Sequence, residues 1–302
     1  MFGSFLLACL AEAGEAEALE FEVVMGTASS TIATPLLRWS KDRDSTTSHR
    51  LSNVLIGHTA HMRSDLNSSE ATCGTTPSIT ADDITFNFGD DSTATHTSPN
   101  TAGSINSETK AHDWFSIVKY TGTGVNATVG HGLPVTPKWI IPKNRIDTVS
   151  WLMYTETTGP TKYMALDLDV GGSTLASAWN NTAPTSSVFS IGTNGTVNGS
   201  GDGMIALCFA DKAGVCKIGE VDITSGTMSG DTDLGLAPKL FIVKRTSTTG
   251  DHEMINNETT NFLEASTANT EATNGADRVT ITSETISNNG LPDGTYTYLA
   301  IA

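Results

Sequence analysis

The chain has 302 residues and a net charge of −16, from 33 acidic and 17 basic side chains, yet only 17% of its residues are charged. That acidity argues against a nucleic-acid-binding surface, which needs a basic footprint, and against adsorption to an anionic membrane. Four cysteines without a Cys-x-x-Cys pair make neither a disulfide framework nor a zinc signal.

Residues 1–20 are rich in Ala, Leu and Glu and predict a short helix. Phe2, Phe5, Leu6, Cys9 and Leu10 fall at i, i+3, i+4, i+7 spacing and make one apolar stripe. We read this segment as amphipathic and as docking on a partner or a second copy. A helix folded onto its own first module is the plainer alternative. A secretion signal fits less well, because no Lys or Arg precedes Arg38. The apolar run is also far too short to cross a membrane.

From residue 21 the chain repeats itself. Pro35-Leu-Leu-Arg-Trp-Ser-Lys41, Pro137-Lys-Trp-Ile-Ile-Pro-Lys143 and Pro238-Lys-Leu-Phe-Ile-Val-Lys244 share the spacing Pro-x5-Lys, and their prolines stand 102 and 101 residues apart. Arg43, Arg145 and Arg245 follow closely. Each copy opens on an apolar alternation, at Phe21, Phe115 and Cys216. Copies two and three close alike, on Gly203–Ala210 and Thr295–Ala302. Copy one is expected to close around Ile105 to Trp114, with its apolar character lost. The modules are therefore placed at 21–113, 114–213 and 214–302. Units of this length are large enough for a core of their own, which predicts tandem domains.

The composition is that of β-structure. Short runs of Val, Ile, Phe, Tyr and Thr are bounded by turn signals such as Asn194-Gly195 and Asn289-Gly290. The runs before the repeat lysines read as central strands buried on both faces, with Lys and Arg reaching water at their ends. Trp39 and Trp139 read as core. The expected fold class is all-β: three tandem β-sandwich modules, jelly-roll-like, preceded by the N-terminal helix.

Little in the sequence points to chemistry. His58-Thr-Ala-His61 is the one close histidine pair and reads as surface histidines, since no third ligand completes a site. Asp82-Asp83, Asp90-Asp91 and Asp167-Leu-Asp169 match no calcium loop and read as solvated acids. Gly199-Ser-Gly-Asp-Gly203 lacks the lysine of a phosphate loop and reads as a turn. No catalytic residue, metal or cofactor is assigned. A sugar-binding platform needs exposed aromatics beside polar groups, and Trp151 and Trp179 are the better surface candidates for contact with a glycan.

Phe115-Ser-Ile-Val-Lys-Tyr-Thr-Gly-Thr-Gly, Gly130-His-Gly-Leu-Pro-Val-Thr-Pro-Lys-Trp-Ile-Ile with Lys143-Asn-Arg, and Ser177-Ala-Trp-Asn-Asn-Thr-Ala-Pro resemble a module repeated in virion proteins of marine tailed phages. So does the ending Gly294-Thr-Tyr-Thr-Tyr-Leu-Ala-Ile-Ala. The resemblance covers residues 21–302 and is strongest in the second module. It implies β-sandwich modules in a non-enzymatic structural protein on the virion exterior, tail-fibre-like. The partners expected from it are other virion proteins, further copies of the chain (as a trimer) and a host-surface glycan. A capsid decoration or tail-associated protein held by residues 1–20 is the alternative, and a carbohydrate-binding module the second alternative.

Overall fold

The computed structural model of the protein describes residues 21–72, 80–250, 252–256, 262–269 and 278–302. The expected N-terminal helix, with Phe2, Phe5, Leu6, Cys9 and Leu10, lies outside the described residues. Within them the fold is all-β, and every strand pair is antiparallel.

The first stretch holds β1 (Phe21–Met25), β2 (Pro35–Asp42), β3 (Arg50–Asn53), β4 (Ala60–His61), β5 (Ala71–Thr72) and β6 (Asp83–Asp90). Four of these form the first sheet, in the order β1-β6-β2-β3, and β4 pairs with β5. Next come β7 (Thr95–Asn100), β8 (Ser107–Ala111), β9 (Phe115–Thr121), β10 (Ala127–Gly130), β11 (Trp139–Asn144), β12 (Leu152–Thr155), β13 (Lys162–Ala165) and β14 (Ser173–Thr174). A one-turn helix α1 (Ala176–Trp179), β15 (Val188–Ile191), a one-turn helix α2 (Gly195–Asn198) and β16 (Gly203–Phe209) follow. The second sheet runs β14-β13-β12-β11-β16-β9-β8-β7, and β10 pairs with β15. The last stretch holds β17 (Cys216–Thr224), β18 (Thr227–Gly230), β19 (Leu240–Arg245), β20 (His252–Asn256), β21 (Phe262–Glu264), β22 (Val279–Thr282), β23 (Thr285–Asn288) and β24 (Gly294–Ile301). The third sheet runs β18-β17-β24-β19-β20-β21, with β22 and β23 as a separate hairpin.

One strand order recurs in the three sheets. The closing strand (β6, β16 or β24) lies between the opening strand (β1, β9 or β17) and the proline strand (β2, β11 or β19). Side chains alternate between the faces of a strand, so each proline strand sends one column inward. Leu37 and Trp39, Trp139 and Ile141, and Leu240 and Ile242 meet in one buried cluster that draws on all three sheets. Complete burial of each such side chain contributes about 1.5–3 kcal/mol.

The outward faces differ. The second sheet packs Val118, Tyr120, Ile140 and Met204 against Phe189, Ile191 and Trp179 of its own covering layer. The third packs Val221, Phe241 and Tyr298 against Val279 and Ile286 of the β22–β23 hairpin. The first sheet turns a polar surface outward, organised by Glu22. This buried carboxylate accepts from Thr31 N (2.9 Å), Thr31 Oγ1 (2.6 Å), Ile32 N (3.2 Å), Asn87 Nδ2 (2.8 Å) and the Ser30 hydroxyl. It clamps the loop after β1 onto the sheet.

Several expectations need correction. The closing strand of the first sheet is β6, not residues 105–114. Its apolar side chains Ile84, Phe86 and Phe88 face the core, while β8 pairs with β9 across the expected boundary at 113. The sheets are not independent: the second and third each keep a buried cluster of their own, but the inner faces of all three are buried on one another in a shared one. A jelly roll's second full sheet is also missing among the described residues; hairpins, one-turn helices and loops cover the outer faces. The repeat lysines do not reach water: Lys41, Lys143 and Lys244 are at most 1% exposed.

Candidate functional site

The repeated polar constellation lies where the sheets meet. The side chain of the repeat lysine points inward, on the same face as the apolar column before it. Its stem covers the end of the shared core and its ammonium turns to backbone carbonyls, as long cationic side chains do at apolar borders. Lys143 Nζ donates to Asn67 O of the first sheet's loop (3.1 Å) and to Val149 O. Lys244 Nζ donates to Leu168 O of the second sheet's loop (2.9 Å) and to Gly250 O. Lys41 Nζ bonds carbonyls of its own turn, at Asp42 and Ser45. Burial pushes the Lys143 ammonium down to about 8, against the pull of Asp167 and Asp147, and lowers that of Lys41.

Main-chain bonds repeat across the same seams. Glu70 N donates to Arg145 O (2.9 Å) between the first and second sheets, and Gly172 N to Thr246 O (2.8 Å) between the second and third. Arg145 also forks onto Glu70, with Nε–Oε2 at 2.6 Å and Nη2–Oε1 at 3.0 Å. Trp151 Nε1 donates to Arg63 O (2.9 Å) and Trp139 Nε1 to Thr297 Oγ1 (3.0 Å). The third sheet returns to the first through Ser64 Oγ, which donates to Ala265 O (3.1 Å). The three sheets thus close a cycle, each touching the other two.

The sequence-predicted positions fall mostly into this framework. Trp151 and Trp179 are not surface platforms, because they are 0% and 1% exposed. Trp151 lies under Lys143, whose Nζ is 5.9 Å from the ring centroid, and Trp179 donates to Lys162 O (2.9 Å). An aromatic in a Ser/Asn-rich stretch reads as exposed, but these two plug a seam and an outer layer. Asp167 is no solvated acid either: it is buried, accepts Trp151 N (3.0 Å), and burial raises its pKa. His61 is buried, and His58 bridges Ser52 Oγ (3.0 Å) and Pro35 O (3.1 Å), so the pair is structural rather than superficial. Asp83 caps Thr80 N (2.6 Å), Asp90 caps Ser92 N (2.9 Å), and Asp91 pairs with Lys110 (2.6 Å).

Sequence reasoning missed His49 and His252. With Trp151 they stand 14 residues after the three repeat prolines, and that shared offset is the signal that marks them. A cleft of about 240 Å³ opens between the second and third sheets, lined by Lys138, Glu156, Glu220 and Asp231. Lys138 is paired there with Asp211 (3.0 Å) and Glu156 (3.2 Å). Burial works against its charge, yet the two carboxylates hold its pKa above the ordinary value. Among the described residues no group of three or more His, Cys, Asp or Glu could hold a metal ion.

No curated protein and no solved structure matches the chain. One family model spans all three sheets, over residues 22–302. The chain belongs to that family, DUF7483, a domain of unknown function.

Proposed function

We propose that the chain is three copies of one β-module, fused and closed into a ring, and that it is a non-enzymatic structural protein on the exterior of a tailed-phage virion. The observation that carries this reading is what recurs. The repeated polar groups, Lys143 with Asn67 and Lys244 with Leu168, are spent on joining sheets. What differs between copies is the outer layer and the loops, which is where recognition of a host surface would lie. The sequence resemblance to phage virion modules supports the same reading, in a tail-fibre-like role.

The alternative is a capsid decoration or tail-associated protein held by residues 1–20. It is favoured by the direction of β1, which enters its sheet from the proline end: Phe21 pairs with Phe88 opposite Leu37, and Met25 pairs with Ile84 opposite Lys41. An anchor there leaves the lysine-end loops outward. Those loops display Leu66, Val125, Ile146 and Leu168, four of the five exposed large apolar residues among those described. Further copies of the chain, as a trimer, would then associate through the N-terminal segment, because bonds within one chain already close each seam. A carbohydrate-binding role has lost Trp151 and Trp179 and would need loop residues instead.

Mass spectrometry of purified capsids against purified tails tests the reading. Enrichment with tails supports the fibre, and enrichment with capsids supports the decoration protein. Absence from both particles contradicts a virion role.

A further inference from the structure

An open groove of about 310 Å³ runs over the lysine end of the second sheet, beside its seam with the first. That size lies at the lower end of small-ligand sites, about 300–1,000 Å³. Two cations stand in it, Lys119 on β9 and Arg145 just after β11. Lys119 Nζ bonds Glu108 Oε2 (2.7 Å) and Leu55 O of the first sheet (3.3 Å), and an ammonium has a further N–H beyond those two. Arg145 meets Glu70 through Nε and Nη2, so Nη1 takes no part in that fork. Nη1 reaches instead over Gly203, 3.4 Å from the position a Cβ would occupy there.

The second module alone combines these features. The strand partners Lys143, Ile205 and Lys119 correspond to Lys41, Ile84 and Met25 in the first sheet and to Lys244, Thr297 and Glu220 in the third. The position of Lys119 is therefore apolar in one copy and acidic in the other. The main-chain bond from Arg145 N to Gly203 O (3.0 Å) has its equivalents in Arg43 N to Asp82 O (3.1 Å) and Thr246 N to Thr295 O (2.8 Å). The first sheet thus has an aspartate where the second has Gly203, and the third has no arginine. The one carboxylate lining the groove is Glu108, which Lys119 and His96 hold below the ordinary carboxylate range. In a chain of net charge −16, this groove sets two cations against one acid. Ser98, Asn106 and Thr121 add exposed hydroxyl and amide groups, and Pro99 adds an apolar edge.

We propose that this groove binds an acidic saccharide, through a uronate-type sugar unit whose carboxylate is held by Arg145 and Lys119. Hydrogen bonds between ionised partners are about twice as strong as neutral ones, and a guanidinium suits a carboxylate. Glu108, Ser98 and Asn106 then serve the sugar hydroxyls, and Pro99 lies against its C–H face. An inorganic anion would leave those groups unused, and a neutral sugar would leave both cations without a charge to meet. That a host surface supplies such a sugar rests on the exterior role proposed above; the chemistry of the groove does not.

NMR titration of the full chain tests this. The probe is an aldobiouronic acid, one uronate joined to one neutral sugar, and the control is the same disaccharide with its carboxyl reduced to an alcohol. The acid should bind at least about tenfold more tightly than the reduced sugar. Gly203 has no left-handed backbone, so Gly203→Asp, which copies the first sheet, meets no backbone strain. It should weaken binding of the acid at least about tenfold, with the thermal midpoint unchanged. Lys119→Gln should weaken it likewise and decides the matter if the first variant does not fold. Equal binding of the two sugars would overturn the proposal, as would no binding of the acid at millimolar concentration. So would inorganic phosphate that binds as tightly as the acid, or a folded Gly203→Asp that binds like the parent. None of these outcomes bears on the virion role, which the mass spectrometry of particles decides separately.

Discussion

Lys143 takes a charge to the end of an apolar column and leaves it on two carbonyls. Removing one side of such an arrangement costs more than the bonds are worth in isolation, because the partners remain buried. Lys143→Met keeps the stem but orphans Asn67 O and Val149 O. Urea denaturation should show a loss of about 3 kcal/mol. Lys138→Met removes a half-exposed ion pair instead and should cost less than about 1 kcal/mol. Equal losses for the two variants would refute the distinction. Glu22 offers a second test. Burial raises its pKa, but hydrogen bonds from Ser30, Thr31 and Asn87 outweigh this and bring it down to about 2. A folded value below the unfolded one contributes stability that is present above about pH 4.5 and lost as pH falls toward 2, on the order of 3 kcal/mol. Glu22→Gln should therefore be less stable than the parent at pH 7, and the gap should narrow below about pH 4.5 and close only as pH reaches about 2. A gap that stays constant with pH would exclude the clamp.

At the scale of elements, the β7–β8 hairpin occupies the flank of β9 that β18 occupies on β17. Each covers an opening strand whose unpaired N–H and C=O groups would invite association. Replacing residues 95–111 by a short linker should leave the core folded but make the protein self-associate, visible as concentration-dependent light scattering. A monodisperse monomer would show that β9 needs no cover. The proline strands were legible from sequence because apolar runs with a fixed Pro-to-Lys spacing repeat three times. The all-β class was legible for the same reason, through alternation and turn residues. The first closing strand was not. Asp83-Ile-Thr-Phe-Asn-Phe carries its apolar residues on one face only, since the outer face of that sheet is polar. The lysines were misjudged because a lysine at a strand end normally finds water, and only the neighbouring sheet's loop shows that it does not. Trp151 and Trp179 failed likewise: their local sequence is polar, and the residues that bury them are remote in the chain.

On the scale of the whole molecule, the acidity, the shared core and the repeated seams describe a scaffold whose variation lies on its outside. On the proposed virion role, deleting residues 2–18 should abolish incorporation into particles while leaving the thermal unfolding of the remainder unchanged. Normal assembly of the truncated protein would remove the docking role of that segment. The account depends most on one core being shared by three sheets. Its most direct test is the isolated second unit, residues 114–213, studied by sedimentation and chemical denaturation. Alone it would expose Trp139, Ile141, Met153, Ile205, Leu207 and Phe209, all now buried against the other sheets. We predict that it self-associates or fails to unfold cooperatively. A monomer that unfolds cooperatively with native-like stability would contradict the shared core and restore three independent domains.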